Sequence, residues 1–278
     1  MSSETRPRSV AVIPSLITLA NLACGVGALL WLWEAGQNAD YELVKNAGWL
    51  LVLAVFFDAI DGKLARLTKS TSDLGAQLDS LADLVTFGLV PAFLIRTLVQ
   101  LEGPSFDIVP HPRIMVVGPI LYTCCAALRL ARYNVLHAGE DMTKGTAVFI
   151  GLPSPGAASL PIAMVLFYFG ISDPAFLIPV SAETIHLVRE LTLRSLPFLL
   201  VVLGVLMVSN LPFPHFVAWA SRTRHPFQRI AEITIILGLL FVEPELALLL
   251  LSICFILLPG LIASVRLLHQ KLRGRSAA

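Results

Sequence analysis

Residues Phe56–Gly88 read FFDAIDGKLARLTKSTSDLGAQLDSLADLVTFG, and the spacing of the acids in this stretch decides how the chain is read. Asp58 and Asp61 stand three apart, so on a helix they share one face. Gly75, Asp79 and Asp83 are separated by four and four, and they too share a face. The eight residues LTKSTSDL between Arg66 and Gly75 suffice to turn the chain. The two helices then run antiparallel, and four carboxylates converge at one end of the pair.

The composition sets the solvent in which this happens. Apolar residues make up 56% of the 278-residue chain and charged residues 14%, where soluble domains carry roughly 25% charged. The mean hydropathy is +0.79. A water-soluble globule of this size has no room to bury so much apolar surface, so lipid is the solvent for most of the chain. A formal net charge of +1 provides no field to steer an anionic polymer, which excludes a nucleic-acid partner held by a basic surface. Cys24, Cys124, Cys125 and Cys254 lie in apolar runs without paired-thiol metal spacing and read as small buried hydrophobes. The polar MSSETRPRS start is followed by an apolar run too long for the core of a signal peptide, so that run is read as a retained span.

A span needs roughly 20 apolar residues. Eight are expected: Val10–Trp33, Val44–Asp58, Leu84–Val99, Ile114–Leu130, Phe149–Ile171, Ser195–Asn210, Ile230–Phe241 and Leu246–Leu268. The seventh is short and Pro244 parts it from the eighth, which leaves a re-entrant pair as the alternative. The connection Ser172–Arg194 is the longest outer segment and is expected to hold a short interfacial helix. With both termini in the cytoplasm, only Lys45, Arg96, Arg113, Arg189 and Arg194 of the 20 basic residues fall outside, a strong positive-inside bias. The expected fold is thus an all-α polytopic membrane bundle. Residues 1–215 form its core, and 216–278 form two added helices and a basic tail on the anionic inner leaflet.

The second span supplies only about a dozen apolar residues before Asp58. Asp58, Asp61, Asp79 and Asp83 therefore sit near the inner edge of the hydrocarbon, where ionisable groups are costly and mark function. Four carboxylates in one pocket repel, and divalent cations remove that repulsion. An all-oxygen set without His or Cys suits Mg²⁺ or Mn²⁺, and two ions would suit displacement at phosphorus. Gly62 and Gly75 would let a flat base or a diphosphate approach. Arg66, eight residues after Asp58, could clamp phosphate. Ser72 and Asp73 precede the next helix, with Asp73 as its N-cap and the helix N-terminus favouring phosphate. Thr18 and Asn21, three apart in the inner half of the first span, could hydrogen-bond cytidine or ribose. Arg129 and Arg132, with Asn134 beside them, could hold a carboxylate at the inner end of the fourth span. The turn Gly151–Pro155 could line the pocket.

The pattern Asp58-x2-Asp61-Gly62-x2-Ala65-Arg66-x8-Gly75-x3-Asp79-x3-Asp83 resembles, in full, the signature of the CDP-alcohol phosphatidyltransferase family. The match is specific, although it covers about a tenth of the chain. The resemblance implies an integral membrane enzyme, commonly a homodimer with a six-helix core, and a dinuclear metal site facing the cytoplasm. It implies that Asp58, Asp61 and Asp79 bind metal. Asp83 also touches metal and accepts the alcohol's proton, while Gly62, Arg66 and Ser72 hold the CDP moiety. The alcohol attacks the β-phosphate of a CDP-linked lipid, and CMP leaves.

Three further segments are similar to membrane-bound phosphatidylserine synthases: PSLITLANLACG at Pro14–Gly25, ALRLARYNV at Ala127–Val135 and FIGLPSPGAA at Phe149–Ala158. A VSNLPFP stretch at Val208–Pro214 carries the same likeness. CDP-diacylglycerol and L-serine are then the expected substrates and the cell membrane the expected location. Another alcohol acceptor (glycerol phosphate, inositol phosphate or choline) is the alternative within the class, and a divalent-cation transporter is the alternative outside it. Against transport, no acids mark a route to the opposite membrane face. The one His-x-Lys, His269 to Lys271, lacks the Asp that a covalent phosphohistidine route would add.

Overall fold

The computed structural model describes residues 9–68, 73–108, 110–136, 149–213 and 226–257. Helices α1 (Ser9–Asn38), α2 (Tyr41–Thr68) and α3 (Asp73–Asp83) come first. A π-helical turn, Leu84–Leu89, joins α3 to α4 (Val90–Glu102). Then follow α5 (Pro112–Leu136), α6 (Ser154–Gly170), α7 (Ala182–Val208), α8 (Pro226–Val242) and α9 (Pro244–Leu257). Among the described residues, five stretches are long and apolar enough to cross a bilayer: Pro14–Asn38, Tyr41–Leu64, Leu74–Phe106, Pro112–Val135 and Ala182–Val208. The architecture is an all-α polytopic bundle.

The α1–α2 hairpin is the longest seam in the bundle. Ala39 adopts the left-handed conformation (φ 56°), and the Asp40 carboxylate then accepts the amides of Glu42 and Leu43 at 3.0 and 3.3 Å, capping α2. On α1 the buried stripe runs Pro14, Thr18, Asn21, Gly25, Ala28, Leu32, Ala35. On α2 it runs Val44, Ala47, Leu51, Ala54, then Asp61, with Asp58 half-buried between them. The spacing alternates three and four, the period of two helices crossing at a shallow angle. Lipid offers no hydrophobic drive between helices, so close approach is what holds them, and small residues permit it. Ala28, Ala35, Ala47 and Ala54 are fully buried. The opposite faces carry exposed Leu30, Trp33, Leu53 and Phe56, as lipid-facing positions should. Because the polar residues continue the same stripes, the hairpin delivers them to one end of the bundle.

Several boundaries differ from the sequence reading. The fifth expected span becomes α6, which starts at Ser154 rather than Phe149. Phe149–Ile150 instead pairs antiparallel with Pro212–Phe213. Gly151 follows at φ +88°, which only glycine adopts cheaply; Pro153 keeps Leu152 out of the helix, and Pro155 falls in the first turn, where its missing N–H costs nothing. The expected interfacial helix in 172–194 is absent as a separate element; the chain turns and enters α7 directly at Ala182, with Ser181 as its N-cap. Pro244 does part the last two helices, as its ring requires. The basic tail after Leu268 and the 69–72 turn lie outside the described residues.

Candidate functional site

The N-terminal half of α1, the C-terminal part of α2, α3 and the C-terminal end of α5 form the site. Asp58, Asp79 and Asp83 each place one carboxylate oxygen within 4.8 Å of the others. Asp83 is 8% exposed and Asp61 6%. The Thr18 hydroxyl donates to Asp61 Oδ2. Asp61 Oδ1 and Asp83 Oδ1 are buried without a hydrogen-bond partner among the described residues. Asn21 lies against Asp83 from α1, and both polar atoms of its side chain are in the same condition. Buried polar atoms are normally paired, and each orphan asks for an explanation. Of the five among the described residues, four gather here: two on Asn21, one on Asp61 and one on Asp83, with the fifth, Arg189 Nε, elsewhere.

A divalent cation fits this donor set. Oxygens sharing one octahedral Mg²⁺ lie about 3–4 Å apart, so small side-chain rotations bring the three carboxylates onto a common ion. The orphaned oxygens of Asp61 and Asp83 point to ligation as well. Hard carboxylate donors without nitrogen or sulfur select Mg²⁺ or Mn²⁺ over zinc.

Among the described residues, Arg129 is the cation beside the acids. It is 8% exposed, lies beside Asp83 and Asp58, and donates to Ser154 Oγ at 2.5 Å. Its neighbours at the same end of α5 make contacts with other helices. Arg132 donates to the carbonyls of Val208 at 3.1 Å and Ser209 at 3.4 Å, and to Asn210 Oδ1 at 3.4 Å. It thereby satisfies the C-terminal carbonyls of α7, where a cation also suits the helix dipole. Asn134 Nδ2 donates to Ser80 Oγ at 3.0 Å, tying α5 to α3 next to Asp79. Of the three residues expected to hold a carboxylate, the structure brings Arg129 to the acids and sets Arg132 and Asn134 on α7 and α3.

The Gly151 turn fits against this junction. Its amide donates to Leu211 O at 2.9 Å, and that of Leu152 to Leu206 O at 3.1 Å. A Cβ at Gly151 would strike Met207 O and come within 2.9 Å of Arg132 Nη2. The turn thus places Ser154 under Arg129. Of the residues expected to hold nucleotide, Thr18 and Asn21 are buried at the acids, while Gly62 and Gly75 lie on α2 and α3 with at least part of their surface open. The side chain of Arg66 and all of Ser72 lie outside the described residues. The sequence reading missed Ser80 and Ser154. A hydroxyl beside Asp79, and one on the proline turn, were the available signals.

The family described as CDP-alcohol phosphatidyltransferase matches residues 11–210. Among curated proteins, the chain is 30% identical over 233 residues to a CDP-diacylglycerol–serine O-phosphatidyltransferase of Helicobacter pylori, covering 84% of this chain and 83% of that one. It is 28% identical over 209 residues to the protein of that name from Methanocaldococcus jannaschii, covering 75% and 77%. It is 29% identical over 208 residues to its counterpart of that name in Bacillus subtilis, covering 73% and 90%.

Proposed function

The chain belongs to the CDP-alcohol phosphatidyltransferase family, and from that premise we propose that it transfers a phosphatidyl group from CDP-diacylglycerol to L-serine, giving phosphatidylserine and CMP. The observation that carries the reading is the meeting of Asp58, Asp79 and Asp83 from two helices beside the buried Arg129. The relatives named for serine transfer support the choice of acceptor.

Asp58, Asp61, Asp79 and Asp83 would hold Mg²⁺ or Mn²⁺, in a pair as the family likeness implies. Such ions, when bound, neutralise the diphosphate and the charge developing on the leaving CMP. The remaining roles belong to the chain. Asp83 accepts the proton of the serine hydroxyl as its oxygen attacks the β-phosphorus; the bond to the CMP oxygen breaks as the new P–O bond forms. A base for this step must come within about 3 Å of the hydroxyl, and Asp83 carries a buried oxygen unengaged by the described residues. Thr18 orients Asp61. Asn21, Gly62, Arg66, Ser72 and Gly75 are assigned to the nucleotide end of the lipid. Arg129, backed by Ser154, is assigned to the carboxylate of serine. Arg132 and Asn134 shape that pocket by holding the end of α7 and the register of α3. Burial of the acids limits water, which would otherwise hydrolyse the activated lipid.

The core is assigned to residues 1–215, with 216–278 an addition; the family match ends at residue 210. The excess of Lys and Arg in the inner segments supports an active site facing the cytoplasm, in the cell membrane. A homodimer is proposed on the family likeness alone.

The test is CMP release by purified membranes given CDP-diacylglycerol and a panel of labelled alcohols. Release dependent on serine and on Mn²⁺ or Mg²⁺ supports the proposal. Equal release with glycerol phosphate or inositol phosphate moves the acceptor, and full release in chelator overturns the role of the acids.

A further inference from the structure

The helix bearing Asp79 and Asp83 changes pitch directly after Asp83. Leu84–Leu89 is π-helical, and the Val90 amide reaches back five residues to Val85 O. A turn of this kind takes up about one extra residue, so the parts on either side are rotated by roughly 100° from where one continuous α-helix would put them. Single π-turns are uncommon and need support from outside the helix.

The support is visible on both flanks. Pro91 has no N–H, so Phe87 O lacks its α-helical donor. The Tyr122 hydroxyl of α5 supplies one, at 3.0 Å. The next residue, Thr123, donates its hydroxyl to Gly88 O at 2.8 Å. From the other side, Thr86 Oγ1 donates to Asn21 O of α1 at 3.4 Å. Thr86, Phe87 and Gly88 are buried. There is no slack around them: a Cβ at Gly88 would come within 2.9 Å of Ala126 Cβ, and one at Gly25 within 3.0 Å of Thr86 Cα. Tyr122 is fully buried too. Its hydroxyl therefore has no solvent alternative, and removing it strands a carbonyl in an apolar interior.

We propose that Tyr122 and Thr123 are positioning residues for the acidic site: their hydroxyls hold the π-turn, and the π-turn sets the rotation at which Asp79 and Asp83 face Asp58. The inference rests on the proposed metal-dependent transfer but concerns how well the chain binds the cation. The two hydroxyls bond to the carbonyls of Phe87 and Gly88, not to the acids. They act on the acids through the helix.

The experiment uses full-length protein in detergent: wild type, Tyr122→Phe/Thr123→Val, Thr123→Val alone and Thr123→Ser. Mn²⁺ binding is followed by electron paramagnetic resonance of the free ion, and serine-dependent CMP release is measured across Mn²⁺ concentrations. In the double variant the Mn²⁺ dissociation constant should rise at least tenfold. The Mn²⁺ needed for half-maximal turnover should rise by a similar factor, with the KM for CDP-diacylglycerol within twofold of wild type. Thr123→Ser should behave as wild type, because it restores the donor. A folded double variant with wild-type Mn²⁺ affinity overturns the proposal. If the double variant does not fold, Thr123→Val decides: unchanged Mn²⁺ affinity overturns the proposal and weakened affinity upholds it. Should wild type show no serine-dependent CMP release, the proposed function falls, whereas a weakened Mn²⁺ affinity in the variants would still uphold the role of the π-turn.

Discussion

Replacing Asp58 by Asn is expected to stabilise the metal-free protein while abolishing its activity. Asp58, Asp79 and Asp83 bring oxygens within 4.8 Å of one another. Two unit charges at that distance repel by about 3.5 kcal/mol at an effective dielectric of ~20. Asp58 takes part in two of the three pairs. Asp58 and Asp79 are half-buried, so solvent screens part of the repulsion, and a net relief of about 2–4 kcal/mol is the reasonable expectation. Asp58 is the right choice because Arg129 lies beside Asp83 as well as Asp58, so the variant leaves that cation paired. Thermal unfolding in detergent, followed by fluorescence of the four tryptophans, measures the effect. In chelator the variant should melt roughly 5 °C or more above wild type. Added Mn²⁺ should reverse the order, since binding to the folded state stabilises wild type by mass action and the variant hardly at all. A variant that melts below wild type in chelator, or gains as much from Mn²⁺ as wild type does, refutes the reasoning.

Three other substitutions probe separate roles. Asp83→Asn should reduce turnover by about 10²–10⁴-fold, the usual scale for losing a general base, and retain binding of labelled CDP-diacylglycerol; surviving serine transfer would remove Asp83 from the proton step. Arg129→Lys, which keeps the charge but loses the fork, should raise the KM for serine at least tenfold and that for the nucleotide lipid less than threefold; the reverse ratio would assign Arg129 to the diphosphate. Arg132→Ala should cost about 1–3 kcal/mol of stability by freeing the α7 carbonyls, read as a lower unfolding midpoint, with the serine KM within threefold; a tenfold rise in that KM would return Arg132 to the acceptor pocket.

The acids were legible because two strong constraints coincide in them. Lipid penalises ionised groups, and helical spacing permits only certain residues to share a face. The alternating stripe on α2 even carries without a break from Ala54 into Asp58 and Asp61, so the position of the acids could be read from the packing of the alanines. The rest of the site depends on contacts between distant segments. Arg132 reaches Val208 and Asn210 across more than 70 residues of chain, and Asn134 reaches Ser80 across 54. Local sequence has no period that reports such pairings, so an arginine three residues from another looks equally fit for a ligand or for a helix end. The π-turn was hidden for a different reason. Its residues, Leu84–Leu89, are as apolar as any α-helical span, and only Pro91 and the Tyr122–Thr123 hydroxyl pair hint that the pitch changes.

A second buried ionic cluster sharpens the reading of the first. Glu102 at the end of α4 accepts the Tyr168 hydroxyl at 2.5 Å and the Arg189 guanidinium at 3.1 Å, while Arg189 also donates to Tyr168 at 2.8 Å. The guanidinium stacks 4.3 Å from the Tyr168 ring centroid. Here one acid meets one base, with a hydroxyl and an aromatic face completing the set, so the charges cancel within the protein. Such a cluster specifies how α4, α6 and α7 meet and balances its charge within the protein, although Arg189 Nε has no partner among the described residues. The aspartate cluster does the opposite. Among the described residues, one guanidinium, that of Arg129, lies beside Asp83 and Asp58, and buried oxygens on Asp61 and Asp83 have no partner there. Both clusters are made from the same side-chain chemistry in the same bundle, so burial alone does not separate structure from function. The difference is the uncompensated negative charge, which a fold would not retain for stability and which a bound cation would neutralise.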